Sequence, residues 1–185
     1  HDRERAYPTD FVNALTKAGF LAALIPDNYG GSGLGVQQAS AIMEEIHHGG
    51  CNGGACHAQM YTMGTILRHG SDAQKQTYLP KIATGDLRLQ AFGVTEPTSG
   101  SDTLSLRTTA VRDGDSYVIN GQKVWTSRAE HSDLMLLLAR TTPKDKVEKR
   151  TLGLSVFIVD MRTALGNGLT IKPLRAMINH STTEV

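Results

Sequence analysis

Phe92-Gly93-Val94-Thr95-Glu96-Pro97-Thr98-Ser99-Gly100-Ser101-Asp102 stands just past the point, near residue 88, where the pattern of the chain changes. It packs backbone donors, three hydroxyls besides that of Thr95, and two glycines into one irregular loop. Glycine lets the main chain come close to a flat polar ligand. An ordinary turn after a strand, with Asp102 capping a neighbour, is the competing reading of the same residues.

Before residue 88 the period is helical. Pro8-Thr9-Asp10 reads as a helix start with Thr9 as the cap, followed by Phe11, Val12, Leu15 and Ala18 on one face and a stop at Gly19. The apolar run Leu21 to Ile25 is halted by Pro26, and Asp27-Asn28-Tyr29-Gly30-Gly31-Ser32-Gly33 reads as a loop. Further helices fit Val36 to His48, with Val36, Ala39, Met43 and Ile46 on one side, and roughly Ala55 to His69. Ser71-Asp72-Ala73-Gln74 has the form of a capping box, and its helix is expected to end at Pro80, with one more turn reaching Gly85.

After residue 88 the period falls to two. Arg107 to Arg112, Asp113-Gly114-Asp115 and Ser116 to Asn120 read as a hairpin. Val124-Trp125-Thr126, Leu134 to Ala139, Leu154 to Val159 and Leu169 to Leu174 read as strands, and the charged stretch Thr141 to Thr151 as a solvated loop. Helices first and strands second is an α+β order, with a helical domain at 1–88 and a β-barrel or sandwich domain at 89–185; it argues against a doubly wound parallel sheet. His180 to Val185 resembles a strand just beginning, from which we expect the chain to be part of something longer.

Composition excludes several classes. The 185 residues carry 19 Lys and Arg against 18 Asp and Glu, so nothing in the charge balance supports nucleic-acid binding. No apolar run approaches the ~20 residues that cross a bilayer. No signal peptide is visible in His1 to Phe20. Cys51 and Cys56 make no disulfide framework, and with His47, His48 and His57 they lack the tight spacing of a zinc site, so no metal is expected and small buried cysteines are the better reading. Gly30-Gly31-Ser32-Gly33-Leu34-Gly35 has neither the spacing nor the strand before it that a dinucleotide loop needs, which leaves a structural turn. No G-x-S-x-G elbow occurs. The single tryptophan, Trp125, is followed by two hydroxyls, Thr126 and Ser127; a core position is the more common fate of a lone Trp.

Four stretches, in order, resemble the acyl-CoA dehydrogenase family. Val94-Thr95-Glu96-Pro97 with Gly100-Ser101-Asp102 resembles its V-T-E-P-x-x-G-S-D signature, and Tyr117-Val118-Ile119-Asn120-Gly121-Gln122-Lys123-Val124-Trp125 its Y-x-I-N-G-x-K-x-W segment. Ile25-Pro26 with Tyr29-Gly30-Gly31-Ser32-Gly33 is similar to an early turn of that family, and Gly70-Ser71 with Gln74-Lys75 and Tyr78-Leu79-Pro80 to one of its helices.

The resemblance implies an N-terminal helical domain and a middle β-barrel, with the family's C-terminal four-helix bundle absent from these residues. It implies FAD as cofactor. Phe92, Val94 and Thr95 would line the isoalloxazine, and Gly100 would flank the loop. Ser101 would lie near the pyrophosphate and the acyl-CoA pantetheine, and so serve substrate binding as well. Trp125 would flank the ring and Ser127 would reach the N5 side, with Thr126 competing for that role because this chain has Trp-Thr-Ser where the family often has Trp-Ile-Thr. Phe92 replaces a tyrosine found in some members. The reaction implied is α,β-dehydrogenation of an acyl-CoA thioester to the trans-2-enoyl-CoA, as in fatty-acid β-oxidation, with electrons passed to an electron-transferring flavoprotein. An acyl-CoA oxidase, a flavin monooxygenase of the same fold, or a non-catalytic FAD-binding module are the alternatives. A homotetramer or homodimer, in a bacterial cytoplasm or a mitochondrial matrix, is implied as well. The family's base is a glutamate of the missing bundle. None of the seven glutamates here takes its place, and Glu96 reads as structural.

Overall fold

The computed structural model describes residues 6–177 and 181–185. The chain forms two compact units, one made of His1–Ala91 with His131–Asp133, the other of Phe92–Glu130 with Leu134–Val185. Helices come first and strands second, as the change of period predicts.

The helical unit holds α1 (Thr9–Lys17), α2 (Val36–His48), α3 (Gly54–His69) and α4 (Asp72–Thr84). Thr9 does not cap α1. Pro8 occupies the cap position with no side-chain hydrogen bond, and its ring, with φ at −79°, leads the chain into the helix. Val12, Leu15, Leu21, Ala39, Cys56 and Met60 close over one another as the core of this unit. Val36, at the first position of α2, stays exposed, so the apolar stripe of that helix starts at Ala39. The cysteines split: Cys56 is buried, and burial pushes its thiol up to about 11, whereas Cys51 is exposed, contrary to the expectation of a buried pair.

The helix α4 does not end at Pro80, where the sequence predicts a stop, but continues to Thr84, and Gly85 closes it at φ +86°. Proline costs a helix one hydrogen bond, and here Leu79 and Ile82, both wholly buried on either side, hold the turn together. At its start Gln74 N–H donates to Ser71 Oγ at 3.2 Å and Ser71 N–H donates to Gln74 Oε1 at 2.9 Å, a reciprocal box. Replacing Ser71 by Ala should lower stability by about 1 kcal/mol in a urea melt, and replacing it by Gly by only a few tenths. A loss of only a few tenths of a kcal/mol for Ser71→Ala would show that the Ser71 side chain caps nothing.

The Gly-rich turn is structural. Gly31, Ser32, Gly33 and Leu34 donate their amides to the carbonyls of Pro26, Ala22, Ile25 and Ala23, so these donors are consumed within the turn.

The strands are β1 (Leu89–Gly93), β2 (Thr109–Asp113), β3 (Ser116–Asn120), β4 (Thr126–Ser127), β5 (Leu134–Arg140), β6 (Leu154–Asp160), β7 (Lys172–Pro173) and β8 (Thr182–Glu184), with a one-turn helix α5 (Met161–Ala164) after β6. One sheet has the order β1-β5-β2-β3 with β6 also on β5, and a second has the order β4-β8-β7. Antiparallel β2 and β3 pair from Thr109↔Asn120 to Asp113↔Ser116 around Gly114-Asp115, and Gly114 supplies φ +58°.

Three strand expectations shift, each for a visible reason. The hairpin begins at Thr109 rather than Arg107 because the amides of Arg107 and Thr108 donate to the Glu96 carboxylate. Extended structure starts at Thr126 rather than Val124 because Trp125 has φ +60°. The run 169–174 forms a strand only at Lys172–Pro173, with Leu169 bridged to Leu165. Of the terminal run, β8 covers Thr182–Glu184, while His180 lies outside the described residues.

Candidate functional site

Glu96 is the pivot of the Phe92–Asp102 loop. Its carboxylate is buried and accepts hydrogen bonds from Arg107 N–H (2.6 Å), Thr108 N–H (2.9 Å), the Thr108 hydroxyl (2.6 Å) and Lys123 Nζ (2.9 Å). The pair is nearly sealed from solvent, with side-chain exposures of 2% for Lys123 and 4% for Glu96. Burial pushes the Glu96 carboxyl up. The Thr108 hydroxyl, the Arg107 amide, the Lys123 ammonium and the Thr108 amide outweigh it, and together they hold the group down at about 2. Burial also draws Lys123 below the usual lysine value, against the opposing pull of the Glu96 hydrogen bond and charge.

Through this pair the two most informative stretches of sequence lie side by side. Lys123 Nζ also donates to the Val94 carbonyl at 3.0 Å, and Val124 N–H donates to the Thr95 carbonyl at 2.8 Å. Both carbonyls are therefore turned toward the Lys123-Val124 segment. Among the described residues the Thr95 amide and hydroxyl show no hydrogen bond, and they are what that residue offers a ligand. Gly93 makes room for this approach, since a Cβ there would sit 3.0 Å from Leu137 Cδ1 and 3.2 Å from Lys123 Cγ.

Immediately after Lys123-Val124 the backbone is strained. Trp125 has φ +60° and Arg128 φ +61°, a region that bulky side chains rarely enter. Such a conformation costs of order 1–3 kcal/mol and persists where the surroundings over-determine it. Here the surroundings are the Val124–Thr95 bond, the paired backbone of Lys123 and Val185 (2.7 and 2.9 Å), and the Arg128 N–H to Ser181 carbonyl bond (2.6 Å). The Trp125 side chain is not in the core; it is 61% exposed.

The two hydroxyls after Trp125 have different fates. Thr126 is buried, its Oγ1 has no hydrogen-bond partner among the described residues, and its carbonyl accepts from the Thr183 hydroxyl at 2.7 Å. Ser127 is half-buried. Phe92, Val94 and Thr95 are half-buried, and Gly100 and Ser101 are exposed at the far end of the loop. The paired bridge Glu96↔Ser99 and the Ser99 hydroxyl, which donates to the Asp102 carbonyl at 2.7 Å, give that end its shape. Asp102 pairs with Arg150 at 2.8 Å on the surface. The Ser105 hydroxyl and then Arg150 hold its carboxyl below the usual range.

A cavity of about 600 Å3 in the same unit is lined by Tyr117, Ile119, Met135, Leu137 and Leu169, among others, and none of the residues singled out for flavin lines it. Lys123 and Thr108 border it, and they are the site residues that sequence reading passed over. Lys123 stands in the Y-x-I-N-G-x-K-x-W segment and Glu96 in V-T-E-P, but nothing local in the sequence pairs the two or brings Thr108 to them. Among the described residues no group of three or more His, Cys, Asp or Glu is placed to hold a metal.

The family model described as acyl-CoA dehydrogenase, middle domain, matches residues 91–185, and that described as acyl-CoA dehydrogenase, N-terminal domain, matches residues 1–86. The chain belongs to the acyl-CoA dehydrogenase family. Acyl-CoA dehydrogenase FadE26 of Mycobacterium tuberculosis is 38% identical over 175 residues, covering 92% of this chain and 42% of that protein. Among solved structures, an acyl-CoA dehydrogenase from Geobacillus kaustophilus superposes with a TM-score of 0.87 at 30% identity, covering 99% of this chain and 48% of that one. The prolyl acyl carrier protein oxidase AnaB follows at 0.85 and 27%, with the same coverage. The chain thus spans less than half the length of these relatives. Acyl-CoA dehydrogenase domains here carry the loop, the strained tryptophan and the buried ion pair within the second unit, whose residues fall in the matched middle domain.

Proposed function

We propose that this chain forms the helical and flavin-binding portions of an FAD-dependent acyl-CoA dehydrogenase. Its reaction is the α,β-dehydrogenation of an acyl-CoA thioester to the trans-2-enoyl-CoA, with electrons passed on to an electron-transferring flavoprotein. The observation that carries the reading is Trp125, a large exposed aromatic residue on a strained backbone, next in the chain to the Val124 that donates to the Thr95 carbonyl. An exposed aromatic face next to amide and hydroxyl donors suits a flat, polar, conjugated ring. The carboxylate that follows Thr95 in the chain, Glu96, is buried and neutralised by Lys123, so it sets no unpaired negative charge against electron density arriving there.

In this reading Phe92, Val94 and Thr95 line one side of the isoalloxazine and Trp125 flanks it. Ser127 supplies the hydroxyl on the N5 side, because the Thr126 hydroxyl is buried. Gly100 and Ser101 take the pyrophosphate, and Ser101 the pantetheine. FAD bound there supplies the acceptor for the β-hydrogen as hydride. The α-proton goes to a base outside these residues, so they alone turn over no acyl-CoA.

The test is anaerobic mixing of the full-length protein with a panel of saturated acyl-CoAs. Bleaching of the visible flavin band by at least one of them is expected, followed by slow reoxidation in air. A colourless, flavin-free protein sinks the proposal, and fast reoxidation by O2 moves it to the oxidase reading. The TM-scores of 0.87 and 0.85 show why that measurement is needed: fold similarity barely separates a dehydrogenase from an oxidase.

A further inference from the structure

We infer that Glu96 and Lys123 are positioning residues whose buried ion pair sets the direction of the flavin-facing main chain, beyond holding the β unit together. The inference rests on the FAD reading above.

Sealing two opposite charges from water is a poor way to gain stability, because desolvation consumes most of the attraction and an apolar pair of similar volume often does as well. What the ions do that apolar groups cannot is fix directions. Lys123 Nζ is shared between Glu96 Oε1 at 2.9 Å and the Val94 carbonyl at 3.0 Å. Glu96 in turn is anchored by the Arg107 and Thr108 amides and the Thr108 hydroxyl, just ahead of the β2–β3 hairpin. Three separate stretches, 94–96, 107–108 and 123, are thereby locked around one carboxylate.

The consequence falls on the neighbours. With the Val94 carbonyl drawn to Lys123 and the Thr95 carbonyl to Val124, the peptide planes at 94 and 95 have a set orientation, and the Thr95 amide, in one plane with the Val94 carbonyl, points accordingly. Two residues beyond Lys123, Trp125 takes φ +60°. Gly93 lets the lysine stem pass beside the strand. A site that reads a rigid ring needs such support behind its contact residues, since a contact group 1 Å out of place is effectively absent.

The experiment compares wild type with the double variant Glu96→Gln/Lys123→Met in the full-length protein. Gln keeps one acceptor oxygen, enough for Thr108, and turns its amide N–H toward the Arg107 N–H, while Met fills the lysine stem without donating to Val94. We expect a single cooperative melting transition, below the wild-type temperature because the Val94 carbonyl and the Arg107 N–H lose their partners. The FAD dissociation constant should rise by about tenfold or more, and the visible flavin band should shift. Wild-type affinity and an unshifted band in a folded double variant would overturn the inference. Should the double variant fail to fold, Glu96→Asp keeps both charges and withdraws the carboxylate by one methylene. There, weaker FAD binding with a shifted band supports the inference, and an unchanged band and affinity overturns it. A wild-type protein that holds no FAD defeats the functional reading itself, whereas FAD binding that is identical in all three proteins defeats only the positioning role.

Discussion

Lys123→Met alone should destabilise the protein by about 3–5 kcal/mol, because it leaves the Glu96 carboxylate buried without its counter-ion. The three hydrogen bonds from Arg107 and Thr108 remain, so Glu96 is not stripped bare, but the charge itself is no longer balanced. The Val94 carbonyl loses its donor in the same step. A urea titration reads the loss as a fall in the midpoint at unchanged slope. A change under 1 kcal/mol would mean that the pair is not energetically coupled.

Acid gives the same interaction from the other side. The Glu96 carboxyl lies at about 2 in the folded chain against an ordinary 4.5, so its contribution is fully present above pH 4.5. As pH falls from 4.5 toward 2, the unfolded chain takes up the proton first and stability drains away, by about 3 kcal/mol in all. Below about 2 the folded carboxyl protonates too, and the lysine is left as a buried charge alone. Glu96→Gln should erase this segment of the acid profile while leaving the rest in place.

Gly31→Ala is the second large effect. A Cβ there would lie 2.0 Å from the Ile25 carbonyl oxygen and 2.4 Å from Ile25 Cβ, and Ile25 is wholly buried. No rotamer relieves a clash with a carbonyl, so the turn must open and break the Gly31–Pro26 and Gly33–Ile25 hydrogen bonds. The expected cost is about 2–4 kcal/mol, in the range of severe single substitutions. Gly100→Ala is the control, since a Cβ at Gly100 meets nothing within 4 Å. It should change stability by about 0.5 kcal/mol or less. Comparable losses at the two positions would contradict the close approach at Gly31.

Much of this was legible from residues alone, and what was not has a common cause. The bounds of α2 and the capping box at Ser71 follow from local chemistry, in which each group meets partners within four residues. The β2–β3 turn is read from Asp113-Gly114-Asp115 for the same reason. Local signals fail where a distant partner intervenes. Pro80 reads as a helix stop, and buried Leu79 and Ile82 overrule it. Arg107 and Thr108 read as strand, and a carboxylate eleven and twelve positions earlier takes their amides. Trp125 reads as core or strand, and is neither.

The candidate site divides along the same line. The order of Val94-Thr95-Glu96-Pro97, Gly100-Ser101-Asp102 and Lys123-Val124-Trp125 is written in the chain, and it suffices to point to the family, because residue types at fixed spacings survive without coordinates. Which of Thr126 and Ser127 turns inward, which way the carbonyls of Val94 and Thr95 face, and that Glu96 closes on a lysine 27 positions away are decided only when the strands pack. Short-range hydrogen bonds and hydrophobic period are properties of a segment, so sequence determines them. Burial, charge pairing and backbone strain are properties of a packed neighbourhood, and only the tertiary structure brings that neighbourhood together.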